Sequence, residues 1–169
     1  SVLCKSQVVK TTVMNFNFFL ISFLIMSGFV GFAFAADYQQ VPLEFSQEEI
    51  DEMRNKAVLL QVSDGTIMIE LFPEDAPNHV HHFLKQVESG FYNGVVFHRV
   101  IPGFMIHTGD PNTKDPDSDR SLWGKGGPGY QMAEEFNSIK HDRGIVSLVI
   151  LQQPHQAGSP FLVIINNST

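Results

Sequence analysis

The chain has one cysteine, Cys4, among 169 residues. A single thiol excludes an intrachain disulfide framework and a cysteine-based zinc site. Basic side chains are also scarce: 11 Lys and Arg stand against 18 Asp and Glu, a net charge of −7. Sequence-independent nucleic-acid binding rests on neutralising phosphates, so this balance argues against that class. Charged residues make up only 17% of the chain and hydrophobic ones 43%. That excludes a disordered polymer, a collagen and a long coiled coil. No G-x-S-x-G occurs, no Ser stands beside a matching His and Asp, and there are no internal repeats. The length suits one ordinary domain and is short for two.

The shortage of charge is concentrated. Residues 1–35 hold Lys5 and Lys10 and no acidic side chain, whereas the remainder holds all seven His and all 18 Asp and Glu. From Phe18 to Ala36 there is neither charge nor Pro, and the run ends in Ala33-Phe34-Ala35 before the polar Asp37. A small-x-small ending after an apolar stretch fits signal peptidase, and 19 residues are also just enough to span a bilayer. The expectation for 1–35 is a cleaved signal, with an N-terminal anchor through 18–36 and a buried core helix as alternatives. The mature part is expected outside the cytoplasm. The first Met is Met14, so 1–13 read as upstream sequence and are set aside from the fold.

Residues 36–56 read as a linker and a short acidic helix. Ser46-Gln47-Glu48-Glu49 has the S-x-x-E capping-box spacing, and Ile50 and Met53 are the only apolar residues that follow before Asn55. Ala57–Val62 and Thr66–Phe72, joined by Ser63-Asp64-Gly65, predict a hairpin. Pro77–Ser89 predicts a helix, because Val80, Phe83, Leu84 and Val87 recur at i, i+3, i+4, i+7 behind an opening Pro and before Gly90. Short strands are expected at Val95–Val100, Phe104–His107, Tyr130–Met132, Ile145–Leu151 and Phe161–Ile165. Several short strands with one amphipathic helix and no βαβ alternation predict an antiparallel barrel or sandwich.

Two segments invite chemistry that their context disfavours. His79, His81 and His82 are dense enough for a metal pair, yet no carboxylate stands at a matching helical spacing, and the bland reading is a solvated flank of the apolar stripe. Gly124-Lys125-Gly126-Gly127-Pro128-Gly129 looks like a phosphate loop, but it does not join a strand to a helix and Pro128 lacks an amide. The strongest constellation is Phe97-His98-Arg99-Val100-Ile101-Pro102-Gly103-Phe104-Met105, a guanidinium among apolar and aromatic residues. Strand alternation puts Phe97 and Arg99 on one face, His98 and Val100 on the other. An Arg there can also be a rim charge that snorkels its stem.

At this point the sequence resembles the cyclophilin family. The residues that carry the likeness run from Tyr92-Asn93-Gly94 through Val95–Met105, then Gly126–Tyr130, Glu135-Phe136-Asn137, His141–Ser147 and Ala157-Gly158-Ser159. Gly65–Leu71, Ala76-Pro77 and Glu88–Tyr92 add to it, so that a domain over 57–169 is indicated. The resemblance implies a mainly β fold, an antiparallel barrel with capping helices, and peptidyl-prolyl cis-trans isomerase activity on Pro-containing polypeptides. It implies Arg99 as the catalytic residue and Phe104, Met105, His107 and Leu162 as substrate-binding residues. No cofactor, metal or nucleic acid is called for, and a monomer is expected for the complete domain. His107 stands where the family has Gln, Pro160 stands where it has a Gln before paired aromatics, and Leu148–Leu151 are bulky where it is small and polar. The family's last strands and second helix have no counterpart before Thr169, which predicts an open barrel. The alternatives are a catalytically weak module that binds Pro-containing segments, and a structural or metal-carrying surface domain.

Overall fold

In a computed structural model of the chain, the described residues are 10–13, 43–130, 132–149 and 158–166. The apolar run 18–36, with the signal or anchor expected of it, lies outside them. Helix α1 (Gln47–Arg54) starts where its capping box begins: Ser46 Oγ accepts from the Glu49 amide, and Glu49 accepts from the Ser46 amide. Met53 is its buried residue, and Ile50 packs at the edge of the core. Strands β2 (Ala57–Val62) and β3 (Gly65–Glu70) pair with Val62 opposite Gly65, a two-residue hairpin turning at Ser63-Asp64. Strand β1 (Lys10–Val13) pairs antiparallel with the other edge of β2, Lys10 opposite Gln61 and Val13 opposite Val58. Four residues of the stretch set aside on sequence grounds therefore belong to this sheet, whose order is β1-β2-β3.

Helix α2 (Pro77–Glu88) buries the stripe its spacing predicts, with Val80, Phe83, Leu84 and Val87 all in the core. Its N-cap, Ala76, offers no side-chain bond. Glu135 does this from the far side of the chain: its carboxylate accepts from the amides of Asn78 at 3.0 Å and His79 at 2.8 Å. A negative charge at a helix N-terminus satisfies otherwise orphaned amides and opposes the helix dipole.

The second sheet holds β4 (Arg99–Ile101), β5 (Met105–Thr108), β6 (Val146–Leu148) and β7 (Phe161–Ile164), in the order β4-β5-β7-β6 and antiparallel throughout. Ile101-Pro102-Gly103-Phe104 makes the β4–β5 turn: the Phe104 amide donates to Ile101 O at 3.1 Å, and Gly103 has φ +72°. Pro second and a positive-φ Gly third are what a type II turn demands. The core forms where the inner faces of both sheets meet α2, with Val58, Leu60, Phe83, Tyr92 and Phe161 among its buried members.

Two expectations change. Tyr130 and Met132 are not in a strand, since Tyr130 is drawn off to the His82 side chain instead. Val95–His98 are outside β4 because Val96 bonds the side chains of Thr113 and Thr108 rather than a strand. Among the described residues the strands form two hydrogen-bonded sheets, of three and four strands. A cleft of about 670 Å³ lies between β3 and β6, walled by Ile67, Ile69, Phe83, Val146, Phe161 and Val163. Met68, Phe72 and the 89% exposed Phe136 stand at its rim.

Candidate active site

The side of the second sheet that carries Arg99 and His107 gathers the residues singled out in the sequence. The register sets Arg99 opposite His107, His107 opposite Leu162 and Leu162 opposite Ser147. Directly paired residues of antiparallel strands project to the same face, so these four form one cross-strand row. One step along, Ile101, Met105 and Ile164 form a second row on that face, with Met105 and Ile164 buried. Phe104 does not line a closed pocket; it sits at the end of the turn, 42% exposed, its carbonyl held by the Ile165 amide at 2.9 Å. Arg99 is exposed, and among the described residues no carboxylate pairs with it. The row thus offers a free guanidinium next to a buried imidazole and a partly buried Leu162.

Alternation fails at His98. Its amide donates to His107 O at 3.1 Å, although His107 is already the partner of Arg99. Two successive residues thus face one, the arrangement of a β-bulge, which bends the strand and re-aims side chains. The His98 ring consequently meets the His107 ring, with centroids 4.5 Å apart and planes tilted by 52°, instead of pointing to the opposite face. Among the described residues His107 Nε2 is buried without a hydrogen-bond partner, and the His98 nitrogens are buried beside the Val96 main chain. Burial is the main reason both imidazoles resist protonation. His107 is pushed down to about 4, with the neighbouring His98 and Arg99 as lesser causes, and His98 is lowered as well.

Behind the bulge stands a loop that the sequence reading undervalued. Asp110 is fully buried, and its carboxylate accepts from the amides of Asn112 at 2.7 Å, Gly126 at 3.2 Å and Gly124. The glycine segment that looks like a phosphate loop is thus occupied by the protein's own carboxylate. A Cβ at Gly126 would collide with Asp110 and Asn112, and one at Gly124 would come within 3.2 Å of the His98 ring. Asp110-Pro111 also opens a 3-10 turn, and Asp followed by Pro is a helix-start signal that could have drawn attention to it. Trp123 lies on this loop, under the Arg120 guanidinium at 5.1 Å, and not in the cross-strand row.

The three imidazoles of α2 go to three different partners. His79 lies 3.0 Å from Ala133 O, His81 packs on Phe45 and His82 is buried between Tyr130 and Gly158. A carbonyl only accepts, so His82 Nε2 carries the hydrogen toward Gly158 O at 2.8 Å, and Nδ1 accepts from Tyr130 OH at 2.7 Å. His82 therefore anchors the Gly158–Pro160 entry to β7, and with it Leu162. His79-to-His82 spacing gives no hint of this, because both partners are distant in sequence.

The family model described as cyclophilin type peptidyl-prolyl cis-trans isomerase/CLD matches residues 57–169. A probable peptidyl-prolyl cis-trans isomerase of Brucella suis is 41% identical over 113 residues, 65% of this chain and 58% of that protein. The peptidyl-prolyl cis-trans isomerase of Synechococcus elongatus is 39% identical over 105 residues, 62% of this chain and 66% of that one. The chain therefore spans about 58% of the Brucella relative's length. Among solved structures, a cyclophilin type isomerase of Cryptosporidium parvum, crystallised in the presence of the dipeptide Ala-Pro, is 32% identical with a TM-score of 0.50. It covers 62% of this chain, which covers 64% of it. With 57–169, most of its length, matched by the family model, the chain belongs to the cyclophilin family.

Proposed function

We propose that the protein accelerates cis-trans isomerisation of X-Pro bonds, with Arg99 as the catalytic group. The observation that carries this is the cross-strand row: an unpaired guanidinium opposite His107, beside Met105 and Leu162. The relative crystallised in the presence of Ala-Pro supports a proline-containing ligand. The barrier to be lowered is the loss of amide resonance, about 18–20 kcal/mol. A twisted amide has a pyramidal nitrogen with a free lone pair, which a fixed guanidinium N–H binds and the planar ground state does not offer. Such a charge-assisted bond contributes about 1.5–3 kcal/mol. It lowers the barrier only because it is made in the transition state.

No nucleophile is required. Met105 and Leu162 supply an apolar bed for the pyrrolidine ring, and Phe104 covers it from the turn. Substrates among exported proteins follow from the apolar run 18–36 and its Ala33-Phe34-Ala35 ending, and the same run is the candidate for membrane attachment. His107 in place of Gln, Pro160 at the entry to β7 and the bulky Leu148-Val149 favour a second reading, a module that binds Pro-containing segments with weak catalysis.

Exchange of an X-Pro peptide, followed by NMR, separates the two. Arg99→Ala is expected to slow catalysed exchange about 10- to 100-fold, by the hydrogen-bond estimate above. Peptide affinity should fall much less. Equal catalysis by wild type and Arg99→Ala sinks the enzyme reading and leaves the binding module.

A further inference from the structure

We propose that His98 is a positioning residue of this site: wedged between Gly124 and the His107 ring, it holds that imidazole in place beside Arg99 for the backbone of a bound peptide. The proposal rests on the isomerase reading for its substrate, and on the structure alone for its geometry.

Three observations converge on His98. The bulge at the start of β4 turns its ring toward His107, where regular alternation would have sent it away. The ring is backed on its other side by the main chain of Gly124, which the buried Asp110 carboxylate ties down through the Gly124 and Gly126 amides. The third is an orphaned nitrogen: His107 is only 8% exposed and, among the described residues, its Nε2 has no partner. Such a group is costly in a merely structural role and natural in one that awaits a ligand. A peptide amide or carbonyl at the Arg99 row would complete it. The ring contact with His107 is what His98 contributes here.

The charged and titratable groups facing His107 are His98, Arg99 and Asp110. His98 and Arg99 oppose a proton on His107, Asp110 favours one, and burial opposes it most. Removing His98 therefore changes both the freedom of the His107 ring and its readiness to take a proton.

The test uses the full chain with His98→Ala and His98→Phe, the second retaining a ring in the same space. In X-Pro exchange, His98→Ala is expected to raise KM about fivefold or more while kcat stays within about twofold, the pattern of lost substrate binding. His98→Phe should recover most of that affinity. Independently, the imidazole resonances of His107 are titrated by NMR. Its midpoint should rise from about 4 in His98→Ala and by a smaller amount in His98→Phe. An unchanged KM in His98→Ala, or an unchanged His107 midpoint in both variants, overturns the proposal. Should His98→Ala not fold, the midpoint in His98→Phe decides alone. If the wild-type protein catalyses no exchange, the isomerase reading fails, and the titration still decides whether His98 holds His107.

Discussion

His82 and His107 occupy two regions that burial treats alike and hydrogen bonding treats differently. Their exposures are 5% and 8%, and each is pushed down to about 4, chiefly by removal from water. On the α2 side, both nitrogens of His82 are satisfied, one by Tyr130 and one by Gly158. On the second sheet, the His107 ring meets another imidazole, and among the described residues its Nε2 has no partner. A depressed pKa therefore does not distinguish these two histidines; the state of their hydrogen bonds does. Burial with partners is what a scaffold needs, and burial without them is what a binding site tolerates.

Acid should blur that difference, and with the largest effect. Each imidazole remains neutral in the folded protein down to about pH 4, whereas in the unfolded chain it takes a proton near 6.5. Between those values the unfolded state binds more protons, so stability is whole above pH 6.5, declines as pH falls, and is not reduced further by these groups below about 4. Each contributes a slope of at most about 1.4 kcal/mol per pH unit in that window. Urea unfolding at pH 6.5, 5.5 and 4.5 should show a shallower decline in His82→Leu and also in His107→Leu. A change confined to His82→Leu would mean that the groove imidazole is open to water, and the likeness would fail.

At neutral pH the two substitutions should part. His82→Leu leaves the Gly158 carbonyl and the Tyr130 hydroxyl without their partner and should cost about 2 kcal/mol of stability, by the usual penalty for stranded polar groups. His107→Leu removes an unpartnered buried nitrogen and should leave stability unchanged or raise it by about 1 kcal/mol. The midpoints of urea curves measure both, and equal losses would break the comparison. The smallest expected effect sharpens it from the functional side. His107→Gln should raise isomerase turnover by less than about tenfold, since one neutral hydrogen bond is worth about 1 kcal/mol. Proline exchange by NMR reads this, and a fall in turnover would show that the imidazole itself suits the substrate.

Local signals made much of the scaffold legible. The Ser46–Glu49 box, the Ser63-Asp64 hairpin, the Pro77 helix start and the Pro102-Gly103 turn are each decided within four residues, and each stands where its chemistry puts it. Arg99, Met105, His107 and Leu162 were visible only through family resemblance, because what unites them is strand register across more than sixty residues. His98 was assigned to the wrong face, since period-two alternation contains no term for a bulge. Tyr130–Met132 was read as a strand from its residue types, although a phenol that finds a buried imidazole leaves its backbone outside any ladder. Glu135 as the cap of α2 had no signal near the helix it serves.

That distant cap has a kinetic meaning. A helix closed by its own Ser or Asp can form its first turn as soon as the turn itself collapses. The first turn of α2 instead waits for a carboxylate 56 residues away, and a loop of that length must close before the Asn78 and His79 amides are satisfied. The start of the helix and the segment around Glu135 consequently open and close as one unit, while the middle of α2, held by Phe83 and Val87 in the core, follows the whole domain. By that loop-closure argument, the first turn of α2 is expected to form after its core-packed middle.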